Sequence, residues 1–178
     1  MTTTTATDPR YPVGKFSNPD FISAGQRAQF VEEIAQTPAR LRATVKGLSD
    51  AQLDTPYRDG GWTPRQVVHH VADSHMNAYI RFKLALTEDN PTIKPYAEDR
   101  WAELADSSLP LEPSLGIIDQ VHHRWVTLMR AMQERDWART FNHPEHGTRR
   151  LDQVLALYDW HGRHHVAHVT ELRKQKSW

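Results

Sequence analysis

Apolar residues recur at three- and four-residue spacing in four stretches, and each reads as an amphipathic helix. The first is predicted from near Ser23 to about Leu48, with Phe30, Val31, Ile34, Leu41, Val45 and Leu48 as its stripe. Pro38 lies inside that pattern and should kink or interrupt it. The second opens at Thr63-Pro64-Arg65-Gln66, where the threonine can cap, the proline fits the first helical position and the glutamine completes a capping box. It should run to Leu86 or Thr87, with Val67, Val71, Ala78, Phe82 and Leu86 inward. The third runs from Pro113-Ser114 to about Arg135 on Ile117, Ile118, Val121, Trp125, Leu128, Met129 and Met132. The fourth runs from Leu151 to Lys174, with Val154, Leu155, Tyr158, Val169 and Leu172 inward.

Shorter features fill the gaps. Ser49 to Leu53 reads as a helical turn, and the Tyr57–Trp62 loop reverses on Gly60 and Gly61. Residues 88–114, with four prolines, form a long connection holding a short helix over Ala97–Ala105. A connection of that length in a compact domain is often functional, as a flap over a pocket or a partner contact. Residues 137–150 read as a turn or short hairpin carrying His143 and His146. No alternating strand pattern, internal repeat or heptad register appears. The fold class is therefore all-α: a four-helix bundle with a long crossover connection between helices two and three. Residues 21–178 form one domain, preceded by a polar arm over residues 1–20 that packs only locally, through Tyr11, Val13 and Phe16.

Charge sharpens this picture mainly by exclusion. Lys plus Arg balance Asp plus Glu at 22 each, which argues against a general attraction to nucleic acid or anionic lipid. No window is apolar enough to span a bilayer, and the N-terminal residues lack the basic and apolar regions of a signal peptide, so a soluble cytoplasmic protein is expected. The chain has no cysteine, so any metal must be held by nitrogen and oxygen. Imidazole suits Zn, Ni, Cu and Fe, and affinity alone does not choose among them.

Four of the 11 histidines fall between His161 and His168 on the fourth helix. Residues four apart share a helical face, so His161 and His165 point the same way and can offer two nitrogens to one transition metal. A third ligand must come from elsewhere, and the candidates are His69, His70 and His75 on the second helix. His70 shares the side of Val67 and Val71, whereas His69 is turned by about 100°. The expected site is thus His70, His161 and His165: three neutral imidazoles and one open position, the catalytic zinc pattern. Such an ion brings the pKa of a bound water toward ~7, and the same position can instead activate a thiol. His168 competes with His161, because His164 and His168 form another pair four apart. His164 and His69 read as exposed or capping residues. Asp73 and His168 are candidates to orient a ligand or move a proton, with a solvated helix face favoured for Asp73. His122 and His123 could reach the pocket, but read more simply as partly buried polar residues beside Trp125. Arg58, Asp59 and Trp62, just before the ligand helix, could line the mouth of the pocket and bind a substrate carboxylate.

The run from Tyr57 to Asn77, with Tyr79–Glu88, Lys94-Pro95-Tyr96 and Trp160–Leu172, closely resembles the YfiT-like branch of the DinB superfamily, described as metal-dependent hydrolases. The resemblance spans nearly the whole chain after residue 10. It implies a four-helix bundle, one metal per subunit held by three histidines, and a homodimer in the cytoplasm. The histidine preceding Val71-Ala72-Asp73 matches the family's first ligand, which is His70. In the wider superfamily the position of His168 is often glutamine, which favours His161 and His165 over His164 and His168. Zinc is the metal usually assigned, with nickel an alternative. Several superfamily members look like S-transferases acting with low-molecular-weight thiols such as bacillithiol or mycothiol.

Three functions follow as expectations. The first is a zinc hydrolase acting on a small molecule through activated water. The second is a metal-dependent thiol S-transferase acting on electrophiles at the same site. The third is a non-catalytic, metal-stabilised stress-response binding protein, which predicts four protein ligands, with His168 or Asp73 as the fourth.

Overall fold

The computed structural model describes residues 8–178. In chain order the elements are α1 (Ala24–Val45), α2 (Asp50–Leu53), α3 (Pro64–Thr87), α4 (Glu98–Trp101), α5 (Glu112–Ala131), β1 (Thr140–His143), β2 (Gly147–Arg150) and α6 (Leu151–Lys176). Two short 3₁₀ turns lie at Ala105–Ser108 and Glu134–Ala138. The four long helices are α1, α3, α5 and α6. Capping boxes start α1 (Ser23 with Gln26), α2 (Ser49 with Gln52) and α3 (Thr63 with Gln66), so each of these helices satisfies two orphan donors locally.

α1 and α3 each pack against both α5 and α6, so α1 lies diagonally across the bundle from α3, and α5 from α6. The long connection, residues 88–111, joins two neighbours, α3 and α5. The diagonal steps are made by residues 46–63 and by residues 132–150, the latter including the hairpin. The β1–β2 pair has Thr140 opposite Arg150 and His143 opposite Gly147. The long connection adds a bridge to it: Ile93 N–H donates to the Asn142 carbonyl at 3.0 Å, and Asn142 N–H to that of Pro91 at 2.9 Å. That clips the connection onto the hairpin at one end of the bundle.

One core group gathers Ile34, Phe82, Trp125, Met129, Leu151 and Leu155, all essentially inaccessible; a second gathers Leu41, Val67, Val68, Val71, Ile118 and Val169. The predicted stripes supply most of both; Val68 and Leu151 join them from outside those stripes, and Ile117 faces solvent at 41% exposure. α1 and α6 pack tightly at Gly162, where a Cβ would stand 2.8 Å from Thr37 Oγ1.

Three expectations are corrected. Pro38 does not interrupt its helix: α1 runs on to Val45. The prolyl nitrogen cannot donate to the carbonyl of Ile34, four residues back, and His122 Nδ1 lies 2.9 Å from that oxygen instead. The part of the arm that lies within the described residues does not pack only locally. Trp160 Nε1–H donates to the Gly14 carbonyl at 3.0 Å, the Phe16 and Trp160 rings lie 5.8 Å apart, and His168 Nε2 lies 3.4 Å from the Arg10 carbonyl. It straps α6. The third correction concerns His69 and His164, which are buried rather than exposed. His69 bridges Ser114 Oγ (2.7 Å) and the Leu109 carbonyl (3.1 Å), tying the end of the long connection to α3.

Candidate metal centre

α3 and α6 are neighbours, and their facing sides bring His70, His161 and His165 together. His161 Nε2 lies 3.3 Å from His70 Nε2 and 3.2 Å from His165 Nε2, and the three ligand atoms all fall within 4.8 Å of one another. Two nitrogens each bound at ~2.05 Å to one tetrahedral ion stand ~3.3 Å apart, so this spacing matches joint ligation. Each ring is held: His70 against Trp62 at 4.5 Å between centroids, His161 against His165 at 4.4 Å and Tyr158 at 5.4 Å.

Electrostatics agree with that geometry. Burial pushes His70 down to about 4, with nearby His168 adding to the effect. Burial likewise holds His161 and His165 well below the ordinary imidazole value, with the surrounding histidines reinforcing it. All three are neutral at pH 7 and keep a lone pair. His165 Nδ1 is buried with no hydrogen-bond partner, so its ring is anchored by packing and by whatever its Nε2 binds. The set suits a borderline divalent ion such as zinc or nickel.

Two further clusters exist among the described residues. His164, His165 and His168 also place ligand atoms within 4.8 Å. They share His165, however, and one neutral imidazole has a single lone pair for one ion. The other two stack on neighbouring rings, His168 on Tyr57 at 4.1 Å and His164 on Trp160 at 4.2 Å, and their Nδ1 atoms are buried without a hydrogen-bond partner. The hairpin group of His143, Glu145 and His146 uses one histidine nitrogen at home, since His143 Nδ1 accepts Glu145 N–H at 3.2 Å. The inner triad, drawn from two helices with Nε2 atoms spaced at 3.2 and 3.3 Å, has the stronger claim to an ion.

Other predicted residues take different places. Asp73 makes no side-chain hydrogen bond to the triad; burial, and then Asp106, pushes its pKa up. Arg58 donates to the Asp59 carbonyl at 2.9 Å and lies over the Tyr57 ring, and Asp59 is exposed. Trp62 alone of that trio touches the site, closing one side against His70 and, at 6.3 Å, His165. His161, alone of the triad, lines a cavity of about 730 Å³, together with Ser74, Tyr158, Tyr96, Arg81 and Phe141. Neither Arg58 nor Asp59 lines it. Its outer wall comes from the arm (Phe16), the long connection and the hairpin, contributions that helical periodicity could not register. His75, a candidate third ligand, and His122, read as a polar residue beside Trp125, lie behind the site instead: His75 Nε2 lies 3.1 Å from His161 Nδ1, and His75 Nδ1 lies 2.8 Å from His122 Nε2.

The profile of the DinB superfamily matches residues 33–169. The chain belongs to the DinB superfamily. Among its DinB relatives, a protein of Bacillus cereus (strain B4264) named "Putative metal-dependent hydrolase" is 55% identical over 171 residues, covering 96% of this chain and 99% of the relative. One of the same name from Bacillus mycoides (strain KBAB4) is 54% identical over the same shares. The solved structure of YfiT from Bacillus subtilis, described as "a probable metal-dependent hydrolase with an unusual four-helix bundle topology", superposes on this DinB chain with TM-score 0.93 at 46% identity. The match covers 96% of this chain and 98% of that one. A more distant four-helix bundle protein, TT2238, shares the fold at TM-score 0.57 and 21% identity.

Proposed function

We propose that this protein is a metal-dependent hydrolase of small molecules, with one zinc ion held by His70, His161 and His165. The observation that carries the reading is the convergence of three neutral Nε2 atoms, with His161 also lining a cavity whose volume is typical of small-ligand sites. The names of the relatives support the reaction class. A metal ion held by His70, His161 and His165 would supply Lewis-acid chemistry, acidifying water and polarising a carbonyl or phosphoryl oxygen.

The chain's own residues do the rest. Trp62 covers the His70 and His165 rings and keeps bulk water from that side. On the cavity side, Tyr158 donates its hydroxyl proton to the Ser74 carbonyl at 3.2 Å, with Ser74 Oγ 3.3 Å away. Burial pushes the Tyr158 phenol up, so at neutral pH it holds its proton and serves as a donor rather than a base. Arg81, with its guanidinium over the Tyr96 ring, offers a cation inside the cavity for an acidic group of the substrate. No helix among the described residues is long and apolar enough to cross a membrane, in keeping with a cytoplasmic small-molecule enzyme.

The test is a panel of esters, amides, lactones and phosphoesters offered to zinc-loaded protein, with His70→Ala as control. Turnover that vanishes in the variant is expected; turnover that survives it rejects the site. Parallel reactions with bacillithiol, mycothiol, coenzyme A or glutathione and a model electrophile separate hydrolysis from thiol transfer: conjugate without hydrolysis would replace the first reading by the second.

A further inference from the structure

Behind His161, away from the cavity, three imidazoles and a carbonyl form a chain through the core. The Ile34 carbonyl lies 2.9 Å from His122 Nδ1, His122 Nε2 lies 2.8 Å from His75 Nδ1, and His75 Nε2 lies 3.1 Å from His161 Nδ1. Its starting point is set by the sequence of α1. Residue 38 is proline, so the Ile34 oxygen lacks its helical N–H partner. A carbonyl only accepts, so the His122 nitrogen facing it carries the proton. In a neutral His122 the other nitrogen is then an acceptor, and the only ring atom facing it, His75 Nδ1, must donate. By the same rule His75 Nε2 accepts, and His161 Nδ1 donates. The direction of every bond is fixed, and His161 is left with its lone pair on Nε2, the atom that faces His70 and His165.

We propose that His122 and His75 are positioning residues, which lock His161 in its Nδ1–H tautomer and aim its Nε2 at the metal, with the Ile34 carbonyl exposed by Pro38 as the anchor. The inference rests on the three-histidine site proposed above. Burial supports neutrality along the chain, since His75 and His122 are 1% and 2% exposed. The chain ends on a backbone oxygen in the core and does not reach solvent, so it orients a ligand and is not a route for protons to leave. Packing fixes the same geometry: the His75 and His122 rings stack at 4.9 Å, and Trp125 and Tyr158 meet His75 edge-on at 6.1 and 5.1 Å. Hydrogen-bond partners behind a metal's histidine ligands set tautomer and ring orientation, and their loss typically costs 10- to 100-fold in affinity or activity.

Two measurements test this, one on the unaltered chain. Two-bond ¹⁵N–¹H correlation spectra of metal-free protein at neutral pH should show His122, His75 and His161 all as Nδ1–H tautomers. An Nε2–H tautomer at His75 or at His161 overturns the proposal. In the second, zinc affinity is read by chelator competition for His75→Phe, which keeps a planar ring and loses both nitrogens, and for His75→Gln, which keeps one donor and one acceptor. The expected result is a 10- to 100-fold loss for Phe and a smaller one for Gln. Equal affinity of Phe variant and wild type also overturns it. If wild-type protein takes up no zinc, the proposed function falls, while the spectra still decide the fixed tautomers.

Discussion

Acid should unfold the metal-free protein near pH 5, and the reason is its buried histidines. His70, His122 and His168 are 6%, 2% and 4% exposed, and burial, more than any neighbouring charge, depresses each to about 4 from 6.5. The unfolded chain therefore binds protons at these sites through the window from 6.5 to 4 while the folded chain does not. Stability contributed by the neutral rings is present above pH 6.5 and is lost as pH falls toward 4. At pH 5 the loss is about 2 kcal/mol per ring and about 6 kcal/mol for the three, to order of magnitude. That is comparable with the whole stability of an ordinary domain, about 5–15 kcal/mol. The raised Asp73 carboxyl works in the opposite direction and offsets part of it. The assay is urea unfolding of chelator-treated protein, followed by helical circular dichroism at pH 7.5, 6 and 5. A urea midpoint that falls steeply over this range is expected, with zinc restoring part of it at pH 6 by binding only the folded state. An unchanged midpoint between pH 7.5 and 5 would refute the reasoning.

Other outcomes follow from particular contacts. Gly162→Ala pushes a methyl to 2.8 Å from Thr37 Oγ1; overpacking of about 1–3 kcal/mol outweighs a helix-propensity gain of about 1 kcal/mol, so the melting temperature should fall, and adding Thr37→Ala should recover part of the loss. His69→Ala removes the bonds to Ser114 and Leu109; about 1–3 kcal/mol of stability should go with them, and limited proteolysis should show faster cleavage within residues 88–111. His168→Gln leaves the inner triad intact, so zinc stoichiometry should stay the same under equilibrium dialysis, whereas a site built on His164, His165 and His168 would weaken.

How much was legible in advance depended on whether the signal was local. Thr63, Pro64 and Gln66 announced α3 because a capping box is self-contained, and the spacing of His161 and His165 carried directly into the site. The choice of His70 over His69 also followed from the helical wheel, since a turn of about 100° separates adjacent residues. Local pattern misjudged His69 and His164, whose burial depends on Leu109, Ser114 and the arm, all distant in sequence. It could not choose between a kink and a break at Pro38, because the partner that relieves its missing bond, His122, sits on another helix. Arg58 and Asp59 looked like a pocket mouth by proximity to the ligand helix, yet the cavity that His161 lines is walled by the hairpin and the long connection and by neither of them. His122 read as a polar residue beside Trp125, which it is; nothing in the chain alone placed it behind His75.

X-ray absorption of the zinc-loaded protein tests the central claim most directly. The predicted result is one zinc per chain bound by three imidazole nitrogens at ~2.0–2.1 Å and one further light ligand not supplied by the protein, with the site lost in His70→Ala. Four protein ligands, or a spectrum and stoichiometry unchanged by His70→Ala, would contradict it.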